Sequence, residues 1–515
     1  MRARLTPTVC AERLQGRFAY AEALEALRRG LHDLCIGGQS SRRALVRIEA
    51  VVDLGSMPPV ARAGDSAALG WLGAVPGGRR VHFRSRDGAR ELAGCGWALS
   101  THDWRHPALN GVVTPAPARM DCEGAVAHGP LEPAAIVLEP FRNGHATGQA
   151  WRDFEATRLI VPAVELRAGQ GDAVLAVNGV GAATPTFEAL AQLGNAASAR
   201  GDLRHNGAPA DSTSWRVCDD GDPARWADAI DAALSSIAAG RMEKVVLART
   251  RRYGCDCAID PVQVLSLLRK EEPDAYHLLV ECGPGRAFVA ASPERLFSRV
   301  GRSVRSEAVA GTCARGPDAL SDDRLADRLL ASDKNRREHD IVTRCIESAL
   351  RPLTTALCAA ASPRIARCAH VQHLVTPIEG ELRAGVDDGT VLGRLHPTPA
   401  VCGLPVGEAR DFITAHEPSQ RGMYAGAVGM VTASSSEFSV GIRSAIVDGD
   451  MLTAFAGAGI VAGSEADAEW LETARKLESF DALLRQSRTQ DNSTARARSE
   501  GVRLVRPAPA ATRAV

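Results

Sequence analysis

R-M-E-K-V-V-L-A-R-T, residues 241–250, places a lysine where an apolar run begins. Val245-Val246-Leu247-Ala248 is short, unbroken and flanked by charge, which predicts a buried strand. Two readings of Lys244 stand side by side. One lays its stem on the protein and its ammonium in water, the common fate of a strand-end lysine. The other makes it a base, kept neutral by its surroundings. Outward from this stretch, Trp226–Gly240 has helical apolar spacing and closes on a glycine, and Pro261–Lys270 is helical again. Tyr276–Glu281 and Ala287–Ala291 predict a hairpin across Gly283-Pro284-Gly285, and Asp318–Leu350 carries a long helical pattern. Before residue 205 the text differs: short apolar runs (Ala44–Val52, Arg80–Phe83, Ile136–Leu138, Ala173–Val177) broken by Gly, Pro and Asp predict a strand-rich half.

Lysine plus arginine and aspartate plus glutamate both total 61, and aromatics are only 4%, so neither a nucleic acid nor an anionic membrane is favoured as partner. The 13 cysteines are scattered without a C-x-x-C pair, which argues against a zinc site or disulfide framework and for a cytosol-like, reducing compartment. No run of 18 apolar residues predicts a membrane span. The first 20 residues are basic but lack the apolar core of a secretory signal. The expected organisation is an N-terminal extension and helix over 1–40 and one domain over 41–487. That domain would hold a strand-rich half (41–205), a linker-like polar stretch (201–222) and a helix–strand half (223–487), with a disordered tail over 488–515.

Three stretches carry candidate chemistry. In S-P-E-R-L-F, 292–297, Pro293 stops the strand and leaves Glu294 just beyond its end, either as a solvated loop acid or at a catalytic address. In S-D-K-N-R-R-E-H-D-I-V-T-R-C-I-E, 332–347, Glu338 falls on the apolar face of a helix, where it needs a cationic partner or a metal. In A-G-S-E-A-D-A-E-W-L-E-T-A-R-K, 462–476, a helix from about 465, with Ser464 and Asp467 spaced like a capping box, aligns Glu469, Glu472 and Lys476. An exposed Glu472–Lys476 pair is the plain reading there.

Read in order, these stretches join A-G-T-C-A-R-G at 310–316, H-L-V-T at 373–376, L-H-P-T-P-A-V-C-G-L-P at 395–405, R-G-M-Y-A-G-A-V-G at 421–429, F-S-V-G-I-R-S-A at 438–445 and A-G-A-G-I-V at 456–461. The ordered set resembles the chorismate-utilising enzymes: isochorismate and salicylate synthases and the large subunits of anthranilate and aminodeoxychorismate synthases. The resemblance implies an α+β fold, a large two-sheet sandwich with helices outside. It implies chorismate as substrate and Mg²⁺ as cofactor, with Glu338 and Glu472 as metal ligands. It implies that Tyr424, Arg443, Lys476 and the backbone at Gly457 and Gly459 hold the enolpyruvyl carboxylate. Gly311, Thr312, His373 and Thr376 would line the ring, a packed core histidine being the competing reading of His373. Met423 and Ser435-Ser436 depart from the usual family pattern.

Within this family, lysine at the position of Lys244 accompanies water as nucleophile, where ammonia-using members carry glutamine; Ala310, before G-T, also differs from the lysine of aminodeoxychorismate synthases. The expected reaction is water addition at C2 by Lys244 with proton donation to the departing C4 hydroxyl by Glu294, giving isochorismate. A monomer without glutaminase subunit, in the cytoplasm, is expected. A salicylate synthase would share these residues and release pyruvate, and a non-catalytic relic of the family need not keep Lys244, Glu294, Glu338 and Glu472 together.

Overall fold

Lys244–Cys255 is a strand in the computed structural model, three times as long as its apolar run. It continues through Arg249 and Arg251 because Asp220 accepts from both, at 2.7 and 2.6 Å, and Asp481 binds Arg251 and Tyr253. It pairs antiparallel with Met451–Ile460 along its whole length, and with Trp215–Asp219 on its other edge. The structure describes residues 10–36, 45–53, 56–57, 66–104, 109, 112, 132–142, 148–168, 173–198 and 214–501, with side chains up to 485.

The described strands form two sheets. The larger runs, by neighbours, Cys10–Phe18, Leu45–Val52, Ala173–Val180, Arg158–Ala168, Glu91–Thr101, Arg80–Arg84, Tyr276–Gly283, Arg286–Ser292, Ser444–Asp448, Met451–Ile460, Lys244–Cys255 and Trp215–Asp219. The other runs Ala135–Glu139, Ala427–Val431, Ser435–Val440, Arg295–Val300, Ser303–Ala314 and Val371–Leu382, edged by Thr354–Ala359 and Arg364–Arg367. They meet at Arg158–Ala168, whose first residues pair with Ala135–Glu139 and whose last pair with Ala173–Val180. Every pairing is antiparallel except Cys10–Phe18 with Leu45–Val52.

Side-chain alternation divides the core. Leu278, Val280, Phe288, Ala290, Val245 and Leu247 point between the sheets. Leu279, Val289, Tyr253 and Cys255 point the other way, against the helices Tyr20–Ile36, Ala67–Ala74, Thr184–Ser198 and Pro261–Glu271. The expected hairpin forms, with Gly285 in the left-handed region at φ 68°. The long helical pattern is two helices, Ala319–Ala331 and Asp333–Leu350; Ser332 ends the first and caps the second through its side chain.

Three segments differ from the sequence reading. Residues 10–18, expected as a loose start, are an edge strand whose mostly exposed residues show no apolar alternation. Trp215–Asp219, inside the expected linker, is likewise an exposed edge strand, while 201–213 lie outside the described residues. The last helix runs Ala466–Gly501, past the expected tail start at 488, and no glycine or proline interrupts it before Gly501. Among the described residues no helix is long and apolar enough to cross a membrane.

Candidate active site

Lys244 is wholly buried. The segment after the helix Asp388–Leu395 closes over it: Leu404 pairs with Lys244 and Gly403 with Val245. Gly403 has φ 145°, and a Cβ there would lie 2.3 Å from the Lys244 carbonyl, so only glycine permits this approach. The buried amine faces Glu338, Nζ to Oε1 2.8 Å. Glu338 is set there by the helix Asp333–Leu350, which packs on the strand Ser303–Ala314. Gly459, opposite, leaves the space: a Cβ would meet Glu338 Oε1 at 2.1 Å. Burial pushes the Glu338 carboxyl up, but the ammoniums of Lys244, Lys476 and Lys334 outweigh it and hold the group below the usual range.

The last helix supplies a second acid–amine set. Lys476 Nζ donates to Glu472 Oε1 at 2.6 Å and to the Gly457 carbonyl at 2.9 Å. One turn back, Glu469 accepts from Lys334 at 2.6 Å, tying this helix to the Glu338 helix. Ser464, spaced as a cap, uses its hydroxyl to accept the Val461 N–H instead.

Glu294 lies beyond the strand Arg286–Ser292, 4% exposed. Its carbonyl accepts from Val440 N–H and the Ser439 hydroxyl, and its N–H donates to Ser292 Oγ. Among the described residues its carboxyl has no hydrogen-bond partner. Burial first, and the Glu307 carboxylate second, push it up to about 8, against Lys244 and Lys476. It is therefore a protonated acid at neutral pH.

One cavity of about 70 Å³ is lined by Glu294, Gly311, Thr312, Glu338, His373, Tyr424, Arg443, Gly457, Gly459, Glu472 and Lys476. Lys244 stands behind Glu338 rather than on this surface. Thr376 is a correction. It lies three residues beyond His373 on one strand, hence on the opposite face, and bonds His339 Nε2 at 2.7 Å while His339 Nδ1 donates to the Ala310 carbonyl. His373 faces the cavity, Nδ1 3.0 Å from Thr312 Oγ1; burial, then Arg443 and Lys476, hold it well below its ordinary value, so it is neutral. Tyr424 stacks on Phe455, and a Cβ at Gly457 would lie 2.6 Å from its hydroxyl. Arg443 is 5% exposed, sits at φ 48° and, among the described residues, faces no carboxylate within ion-pair distance. A buried guanidinium without an anion, lining a cavity with a lysine, calls for an anionic ligand.

The model of the family described as "Chorismate binding enzyme" matches residues 61–485. The chain belongs to this family. As a chorismate-binding enzyme it is 40% identical over 244 residues to isochorismate synthase 2, chloroplastic, of Arabidopsis thaliana, covering 47% of this chain and 43% of that one. It is 37% identical over 370 residues to the salicylate biosynthesis isochorismate synthase of Pseudomonas aeruginosa, covering 70% and 76%. The solved structure of MenF, the menaquinone-specific isochorismate synthase from Escherichia coli, superposes with TM-score 0.72 at 28% identity, over 91% of this chain and all of that one. The matched segments span less than two thirds of the first curated relatives, 43% of the Arabidopsis protein and 61% of the Escherichia coli one. The family carries the two-sheet α+β fold described above.

Several polar residues of this chorismate-binding enzyme escape a motif reading. Glu469 and Lys334 were visible only as spacings, i,i+3 from Glu472 and i,i+4 from Glu338 on two helices that turn out to touch. His339 and Gly403 act through backbone and strand contacts that no local pattern announces.

Proposed function

We propose that this chain is an isochorismate synthase, converting chorismate to isochorismate with Mg²⁺. The observation that carries the proposal is a single cavity that joins a carboxylic acid protonated at neutral pH, Glu294, to the Glu338–Lys244 pair and to an anion-seeking Arg443. Arg443, Lys476 and the Tyr424 hydroxyl would grip the enolpyruvyl carboxylate, with backbone N–H groups at Gly457 and Gly459 close by. Neutral His373, held to Thr312, would border the ring without adding charge.

The donor set suits a divalent hard cation. Glu338 and Glu472 face the same cavity, and among the described residues each has one lysine within ion-pair distance, at 2.8 and 2.6 Å. When bound, Mg²⁺ would neutralise and orient the ring carboxylate. Glu338, which would be one of the residues holding the ion, pairs with the Lys244 ammonium in this structure; to act as base, Lys244 would first release that proton to solvent, and the neutral amine would then take one from the water that adds at C2. Glu294 donates its proton to the departing C4 hydroxyl, and the ring double bonds shift. Water as nucleophile requires no ammonia source, so the enzyme is read as working without a glutaminase subunit, as a cytoplasmic monomer.

Incubation with chorismate and Mg²⁺, followed by chromatography, tests the proposal. Isochorismate as sole product is expected. Salicylate with pyruvate would make it a salicylate synthase instead, and an aminated product formed with glutamine or ammonia would refute water as nucleophile.

A further inference from the structure

Glu294 stands where the chain has already left its strand, yet the peptide groups around it are held. The Pro293 carbonyl accepts from Arg86 Nη1 at 2.9 Å. The Arg295 N–H donates to Glu307 Oε1 at 3.2 Å. Arg86 and Glu307 are themselves a two-pronged ion pair, Nη1–Oε1 2.7 Å and Nη2–Oε2 3.0 Å, with Glu307 buried. Arg86 comes from the turn between Arg80–Arg84 and Glu91–Thr101 in the larger sheet; Glu307 comes from Ser303–Ala314 in the other. Arg295, one residue past the acid, is fixed further by Tyr276 and Glu437 at 3.0 Å each.

We infer that the Arg86–Glu307 pair positions Glu294 for proton donation, clasping the peptide groups on both sides of it and standing a fixed anion beside it. The inference rests on the isochorismate synthase reading above. Bidentate arginine–carboxylate pairs hold geometry as well as charge, which suits a group placed on a turn. Glu307 is also the charge that favours the acid form of Glu294, second to burial itself. The groups that act on Glu294 most directly are Glu307 from Ser303–Ala314, Lys244 from its strand, Lys476 from the last helix and Tyr424 from the 421–426 loop; Glu338, Glu472, Arg443 and His373 line the same cavity. Glu307 favours the acid form, and the two lysines act against it.

Glu307→Gln tests this, because the amide oxygen keeps an acceptor for Arg295 N–H while the charge goes. Rate against pH is measured for wild type, Glu307→Gln and Glu294→Gln, with thermal melts. The basic limb of kcat should move down by about one pH unit in Glu307→Gln, so that turnover above the wild-type limb falls roughly tenfold, while KM stays within about twofold. A purely structural role would lower Tm and leave the limb in place, and that result overturns the inference. Arg86→Lys gives an independent arm, also if Glu307→Gln does not fold. A point ammonium cannot hold both prongs and the Pro293 carbonyl, so kcat should fall about tenfold or more with KM little changed. Unchanged kcat there overturns the inference too. Glu294→Gln separates the two levels: if it retains turnover, the underlying assignment of the acid fails; if it is dead while Glu307→Gln keeps the wild-type limb, only the positioning role fails.

Discussion

Gly459→Ala is expected to silence the enzyme while barely touching the fold. Gly459 does not occupy a left-handed conformation, so alanine suits its backbone. The added Cβ would lie 2.1 Å from Glu338 Oε1, 3.0 Å from its Cδ and 3.1 Å from Lys244 Cε. Carbon contacts settle near about 3.5–4.0 Å, so the Glu338 carboxylate must retreat by more than about 1 Å. The obstructing atoms are the ends of two flexible side chains, not backbone, so the stability cost should stay within the ~1–3 kcal/mol of ordinary overpacking. A displacement of about 1 Å at a reacting centre costs on the order of a hundredfold in rate. Glu338 is moreover both the partner of Lys244 and the proposed ligand, so two functions move together. Isochorismate formation followed by chromatography across a Mg²⁺ titration should give kcat/KM down about a hundredfold and half-saturation at higher Mg²⁺, with a thermal melt still cooperative. Turnover within about threefold of wild type at unchanged Mg²⁺ dependence would refute the placement of Glu338 at the centre of the chemistry.

Lys244→Met should fold, since the site is buried and methionine matches its stem, and should form no isochorismate; retained turnover would remove Lys244 as base. Glu338→Gln and Glu472→Gln should each weaken Mg²⁺ dependence, read as a shifted half-saturation, and an unmoved titration for either would strike that residue from the ligand set. The pH dependence of stability offers a third check. A glutamate whose folded value is raised from 4.5 to about 8 binds more protons folded than unfolded between those limits, so its contribution to stability falls as pH rises through that window. Glu294→Gln should therefore flatten the decline of Tm between about pH 5 and 8, and an identical decline in the variant would mean that Glu294 does not hold its proton.

The residues that gather at the cavity were more legible in the sequence than the edges of the scaffold. Lys244 at a strand start and Glu338 on an apolar helix face go against the patterns around them, whereas Glu294 and Glu472 were singled out by the family resemblance; the cavity gathers Glu294, Glu338 and Glu472 with Lys244 immediately behind. Thr376 was misplaced for a plain reason: an offset of three on a strand reverses the face. The edge strands Cys10–Phe18 and Trp215–Asp219 were illegible because a strand with mostly exposed residues has no alternation to read. Arg86 was beyond reach, since its partner lies 221 positions away and nothing local marks either as a pair.

The interleaving of the sheets has a consequence for how such a protein can be divided. The strongest motifs lie after residue 240, with only weaker echoes at 94–98 and 151–162, which makes the second half look transplantable. Yet Arg80–Arg84 flanks Tyr276–Gly283, and Ala135–Glu139 flanks Ala427–Val431. Cutting the gene between the halves would strip neighbours from both sheets and take the Arg86 clasp from the acid. Recombination can therefore trade these halves only between close cousins that preserve the same ladder partners, and a shuffled library should show its surviving crossovers at the rims of the sheets, not at the midpoint of the chain.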